Sequence, residues 1–201
     1  FSSEWFYEGK LKADSFIAKR TVIPLDTPLV WIDTKELGFE EQLNPLSQSR
    51  LNSSEALLLV KSLRDYCRNM GIERILRDRV DFGIISPYKS QVQLLRKLIR
   101  QSNFLKPIHK QISVNTVDGF QGQERDVILI SMVRGNDEGR IGFLNDLRRM
   151  NVAITRARMK LIVIGDTNTL SHNKFYAKLI KHISEKGLLL TEPAPDSQSS
   201  S

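Results

Sequence analysis

One cysteine, Cys67, occurs in 201 residues. Its isolation excludes an intrachain disulfide framework and a cysteine-rich zinc site, and fits a reducing intracellular compartment, cytoplasmic or nuclear. Leu63, Tyr66 and Met70 surround it at helical spacing, so Cys67 is expected to be a packed side chain rather than a nucleophile. No apolar run approaches the roughly 20 residues that cross a bilayer, and no membrane partner is expected. The three histidines, His109, His172 and His182, show no metal-like spacing and are expected at the surface, with no metal site. No Gly-x-x-x-x-Gly-Lys-Ser/Thr phosphate loop is present, and no carboxylate pair ends an apolar strand in the manner of a magnesium site. This chain alone is therefore not expected to cradle a nucleoside triphosphate. The opening at Phe1, without an initiator methionine or a secretory pattern, reads as a cut within a longer polypeptide.

What is present describes a globular chain, 40% hydrophobic and 26% charged, large enough to bury one α/β core. The formal net charge of +7 favours a polyanionic partner, nucleic acid first. The 30 Lys and Arg residues are spread along the chain, so solubility accounts for many of them as well.

Short β-branched runs predict strands over 29–33, 81–86, 112–114, 127–133 and 161–165. Asn52 or Ser53 is placed to cap a helix that runs to about Asn69 and stops at Gly71. Further helices are expected over 89–100, 148–158 and 173–186. Strands alternating with helices imply a mostly parallel sheet covered on both faces. Residues 1–28 read as an irregular entry to a domain extending to about 190. The tail over 191–201, with two prolines and a polar run, is expected to be disordered.

In an open α/β sheet ligands collect at the carboxyl ends of strands, which directs attention to three loops. In the first, Pro87 ends a strand and Tyr88 offers either a flat face for a base or a structural corner. In the second, 115–126, Asn115 and Thr116 can donate to phosphate oxygens, Gly122 permits close backbone approach, and Glu124 can accept from sugar hydroxyls. The same loop also reads as a solvated turn capped by Asp118. The third, 135–142, leads into Arg148 to Arg158. As a helix this segment has an apolar arc of Leu147, Met150, Ala153, Ile154 and Ala157, with Arg149 and Arg156 together on another face. Forked guanidinium donors held on a packed helix suit phosphates; a solvated basic face is the competing interpretation.

Taken in order, these segments resemble the second RecA-like domain of a superfamily 1 helicase, of the branch that includes the nonsense-mediated-decay RNA helicase and related DNA helicases. Residues 85–91 are similar to that family's motif IV, 116–128 to its motif V, and 145–158 to its motif VI. Residues 6–11 resemble the segment after its motif IIIa. The resemblance implies a three-layer α/β, RecA-like fold without its own phosphate loop. It implies that Arg156 is the arginine finger, with Gly122, Glu124 and Arg158 beside it on the ATP side. Pro87, Tyr88, Asn115 and Thr116 correspond to the face that tracks a single strand of DNA or RNA. ATP and Mg2+ would be held mainly by an N-terminal RecA-like domain of the same polypeptide, and 5′-to-3′ travel is implied. Proline is frequent in the family at Leu147 and leucine at Ile154. The alternative is a nucleic-acid- or protein-binding module that has lost motor chemistry.

Overall fold

The computed structural model describes residues 23–191. The helicase-like segment over 6–11, most of the expected entry segment and the tail beyond 191 lie outside the described residues.

Among the described residues the first element is strand β1 (Leu29–Asp33), followed by a two-stranded hairpin, β2 (Gln42–Leu43) and β3 (Arg50–Leu51). Helices α1 (Ser53–Met70) and α2 (Ile72–Asp78) lead into β4 (Phe82–Ile85). Helix α3 (Lys89–Gln101) and a 3-10 stretch precede β5 (Ile112–Asn115) and then β6 (Arg125–Ser131). Helix α4 (Leu147–Ile154) and β7 (Ala157–Gly165) follow, then α5 (Thr167–Leu170), α6 (Lys174–Lys186) and β8 (Leu188–Thr191). Six strands form one parallel sheet in the order β5-β4-β6-β7-β1-β8.

Period-two alternation explains why the sheet is covered on both sides. Val127 and Leu129 of β6, with Ile162 and Ile164 of β7, face α1 and α3 through Leu58, Leu59, Leu63, Leu95 and Ile99. Ile128, Ile130, Leu161 and Val163 face the opposite way, with Met150 and Ala153 of α4 and Tyr176 and Ile183 of α6. Trp31 ties the sheet further, donating from Nε1 to the Gly165 carbonyl at 3.0 Å. The result is the three-layer RecA-like architecture. Cys67 is fully buried in α1, and burial pushes its thiol up to about 12.

Local signals set several boundaries. The Asn52 side chain accepts from the Glu55 amide at 3.0 Å, making Asn52 the cap of α1. Gly71, at φ 89°, ends that helix.

The arginine segment differs from the expectation of one helix to 158. Helix α4 stops at Ile154, because Thr155 Oγ1 and Arg156 Nε turn back onto the Asn151 and Val152 carbonyls. Strand β7 then starts at Ala157, drawn into the ladder by β6, where Arg125 pairs with Ala157. Arg149 and Arg156 therefore do not share a helical face. At the other end, Thr191, expected in a disordered tail, pairs with Asp33 in β8. That edge strand has no alternating pattern to betray it.

A buried polar network locks α1 and α3 to the end of β6. Gln91 accepts from the Asn52 amide and donates to the Asn52 carbonyl and Ser131 Oγ; Ser131 Oγ donates to Glu55 Oε1 at 2.5 Å. Glu55 Oε1 also accepts from the Val133 amide at 2.8 Å, and Asn52 Nδ2 donates to the Val133 carbonyl. Both contacts hold Val133 at φ 70°, where the Arg134 amide reaches back to the Met132 carbonyl in a tight turn. A β-branched residue in that region costs on the order of 1–3 kcal/mol, and persists only where its surroundings enforce it.

Burial pushes the Glu55 carboxyl up from 4.5 to about 7, against the lowering effect of its Ser131 and Val133 donors. Its Oε2 has no hydrogen-bond partner among the described residues. Because the folded value lies above the unfolded one, the stabilisation is complete below pH 4.5 and is lost as pH rises to 7. Between pH 5 and 8 the protein should lose on the order of 3 kcal/mol relative to Glu55→Gln, which has no proton to release. Urea unfolding at the two pH values measures this; a difference that does not change with pH refutes it.

Candidate functional site

Parallel strands put every amino end on one edge of the sheet and every carboxyl end on the other. Loop 116–124 leaves the carboxyl end of β5 and returns to the amino end of β6, so the sequence-predicted residues fall on two edges. Pro87 and Tyr88 follow β4, and Asn115 and Thr116 close or follow β5. Gly122 and Glu124 precede β6, Arg156 immediately precedes β7, and Arg158 is the second residue of β7. Strand β6 has seven residues, so the edges stand roughly 20 Å apart. The rule that ligand loops follow strands points Glu124 and Arg156 to the carboxyl edge; the structure puts them at the amino edge.

At the amino edge, the Arg125 amide donates to the Arg156 carbonyl at 3.0 Å, setting Glu124 and Arg156 side by side along the backbone. The Arg125 guanidinium holds the loop, donating to the Glu124 carbonyl, Gln123 Oε1 and Ser113 Oγ over the Phe120 ring. Gly122, at φ 76°, has nothing within 4 Å of where a Cβ would stand. Its backbone conformation, rather than crowding, calls for glycine.

The arginines here differ in what they already hold. Arg158 clamps two strands, with Nη2 3.0 Å from Asp81 Oδ1 and Nε 3.0 Å from Asp126 Oδ1. Asp126, then Asp81, raises its guanidinium above the usual arginine range. Arg158, grouped with the ATP side by resemblance, is thus engaged by two carboxylates. Arg156 is half-buried and spends only Nε, on the Val152 carbonyl at 3.1 Å. Among the described residues it forms no ion pair, and neither does the exposed Glu124. An uncommitted guanidinium beside an uncommitted carboxylate can meet a polyphosphate and a sugar together.

At the carboxyl edge, Asn115 Oδ1 accepts from the Thr116 amide at 2.9 Å, and its side chain fills the space where a Gly119 Cβ would stand. Pro87, Thr116, Asp118, Phe143 and Arg149 line a shallow crevice. Tyr88 offers no free face: it is 3% exposed and its ring stacks on Phe143, with centroids 5.3 Å apart and planes at 28°. Its hydroxyl donates to the Ile141 carbonyl and accepts from Arg134 Nη1. Phe143, which local sequence reasoning passed over, is 64% exposed. Its signal was an aromatic residue between Gly142 and Leu144, two residues before the helicase-like stretch at Asn145.

Glu41 organises this edge from a distance in sequence. Its Oε2 accepts from Arg134 Nε at 2.7 Å, the Gly135 amide at 3.0 Å and Asn136 Nδ2 at 3.3 Å, while Oε1 pairs with Arg50 at 2.8 Å. Among the described residues, no group of three or more His, Cys, Asp or Glu could hold a metal, and no helix is long and apolar enough to cross a membrane. His109, His172 and His182 are all exposed.

A family model described as an AAA domain matches residues 1–168. The chain belongs to the AAA-domain family of superfamily 1 helicases. It is 36% identical over 193 residues to the DNA polymerase alpha-associated DNA helicase A of Saccharomyces cerevisiae, covering 87% of this chain and 27% of that protein. Helicase SEN1 of the same yeast is 38% identical, over 94% of this chain and 8% of its own length. The Regulator of nonsense transcripts 1 homolog of Arabidopsis thaliana is 32% identical, over 96% of this chain and 15% of its own. The chain thus spans about a quarter or less of these relatives. They bear the names of a DNA helicase, a helicase and a regulator of nonsense transcripts.

Proposed function

We propose that this domain is the second RecA-like motor domain of an ATP-dependent nucleic-acid helicase or translocase, and that Arg156 is its arginine finger. The observation that supports this most is the Arg156 guanidinium, held at the amino edge by a single bond to a helix carbonyl and otherwise uncommitted. Its fixed fork suits the γ-phosphate of ATP bound to an N-terminal RecA-like domain of the same polypeptide, where it would stabilise charge developing during phosphoryl transfer. Glu124 would accept from the ribose hydroxyls, with Gly122 allowing the backbone close. The donor set fits one side of a nucleotide and includes no cluster for Mg2+, so metal and phosphates would be held mainly by the other domain.

The carboxyl edge would grip single-stranded DNA or RNA through its backbone, with Pro87 and Thr116 beside the strand. Nucleotide and nucleic acid would thus occupy opposite edges of one rigid sheet, and domain closure over ATP would move the strand-gripping loops as a unit.

A strand-displacement assay of the full-length protein, on DNA and RNA duplexes with 5′ or 3′ overhangs, tests the proposal. Unwinding from a 5′ overhang is expected only with hydrolysable ATP. The isolated chain should show negligible ATP hydrolysis even with single strands added. Tight binding with no ATP turnover by the full-length protein would instead establish a binding module.

A further inference from the structure

Phe143 is one of few large apolar side chains left exposed among the described residues, and it is not loosely held. One face of its ring lies on Tyr88, which is buried and fixed through its hydroxyl by Arg134 and the Ile141 carbonyl. The preceding residue, Gly142, sits at φ 54°, and a Cβ there would stand 2.1 Å from Arg134 Nη1 and 2.9 Å from the Tyr88 hydroxyl. The Phe143 backbone is therefore seated against this support, and the ring is presented outward on a two-ring stack. Side-chain ordering has been completed before any ligand arrives, which lowers the cost of binding.

The segment carrying Phe143 lines two depressions. One is an open groove of about 500 Å³ lined by Arg140, Gly142, Asn145, His172 and Asn173. The other is the crevice of Pro87, Thr116, Asp118 and Arg149. The surroundings are polar and rich in donors. Arg140 pairs with Glu138, and Arg149 with Asp118 and Asp146, but these pairs are exposed and weak enough to exchange for phosphate. Arg148 is exposed and forms no ion pair among the described residues. An apolar, flat, rigid surface flanked by arginines whose exposed ion pairs can be exchanged complements a strand whose bases have π-faces and whose backbone is anionic; an apolar protein segment would make no use of those guanidinium groups.

We propose that Phe143, backed by Tyr88, stacks on a nucleobase of the bound single strand. This rests on the carboxyl edge being the strand-gripping face. It adds a base contact that is tolerant of sequence, because every base has a face to stack on.

The test measures equilibrium binding by the full-length protein, without ATP, to a single-stranded oligonucleotide and to versions in which one abasic position is moved along it. For the wild type, one abasic position should weaken binding by about 5-fold or more, the loss expected of one stacked base. Phe143→Ala should show the same loss on the intact strand and no further loss at that abasic position. Phe143→Trp should restore binding, whereas Phe143→Leu, which keeps apolar bulk but no π-face, should not. If Phe143→Ala binds the intact strand like the wild type, or weakens intact and abasic strands equally, the stacking is refuted while the motor reading stands. If the wild type binds no single strand at all, both fall together.

Discussion

Arg156→Ala in the full-length protein is expected to lower nucleic-acid-stimulated ATP turnover by about 10³-fold or more, with single-strand affinity largely kept. The two effects separate because Arg156 stands at the amino edge of the sheet and the proposed strand contacts at the carboxyl edge. Folding should be nearly unaffected, since among the described residues the only side-chain bond lost is one to the Val152 carbonyl at a helix end. Arg156→Lys should also be impaired, because a point charge cannot reproduce the planar fork. Arg158→Ala is the informative contrast: it opens the clamp between Asp81 and Asp126 and should lower the melting temperature. Steady-state hydrolysis and fluorescence anisotropy read the two activities independently. Near-normal turnover by Arg156→Ala would remove the finger assignment.

Much of the architecture was legible because the features responsible are local. Val127–Leu129 and Ile128–Ile130 alternate toward two different helical layers, so a continuous β-branched run already means a strand buried on both sides. Asn52 and Gly71 act within a turn of themselves, and they marked α1 at both ends. Arg156 was visible as a residue of interest, but its position was not. Whether it rides on α4 or leads β7 depends on the pull of the β6 ladder, a contact of high sequence separation. Which edge it occupies depends on the connection through α4 that returns the chain from the end of β6 to the start of β7, as loop 116–124 does for Glu124 between β5 and β6, and strand-by-strand reading cannot see where a loop returns.

The same limit applies to Tyr88, which is covered, and Phe143, which is exposed. Both are aromatic residues beside turn formers, and local pattern does not say which is covered. Burial of Tyr88 is decided by Arg134 and Gly142, about fifty residues away. The resemblance to helicases supplied the ordered motifs, and the structure supplies the physical reason they lie in one molecule: they are the two edges of a single sheet. Lys160 shows how readily charge misleads in such a strand. It lies inside β7, buried, donating to the Pro24 and Thr27 carbonyls over the Tyr66 ring, and burial pushes its ammonium down to about 8.

Glu41→Ala is expected to destabilise the domain by about 3–5 kcal/mol, the scale for removing one partner of a buried ion pair. Arg134, with a side chain 5% exposed, would be left with a buried charge whose remaining partner is the Tyr88 hydroxyl. The Gly135 amide would lose its side-chain acceptor and Asn136 Nδ2 one of its two acceptors at the same time, and Arg50 its counter-charge. The cost should therefore arise from the stranded cation rather than from lost packing, and a second substitution separates the two. Glu41→Ala combined with Arg134→Met removes the uncompensated charge and should recover a large part of the loss, since an apolar side chain of similar length can fill the space. Urea unfolding of the single and double variants measures the coupling. A loss below about 1 kcal/mol for Glu41→Ala would mean that water reaches Arg134 and that the pair behaves as an exposed one. Because the strained turn at Val133 and the Arg134–Tyr88 contact both feed into loop 135–146, the single variant should also disorder the Phe143 support. Its single-strand affinity should then fall even under conditions where the fold is intact, which Arg158→Ala, acting at the opposite edge, should not reproduce.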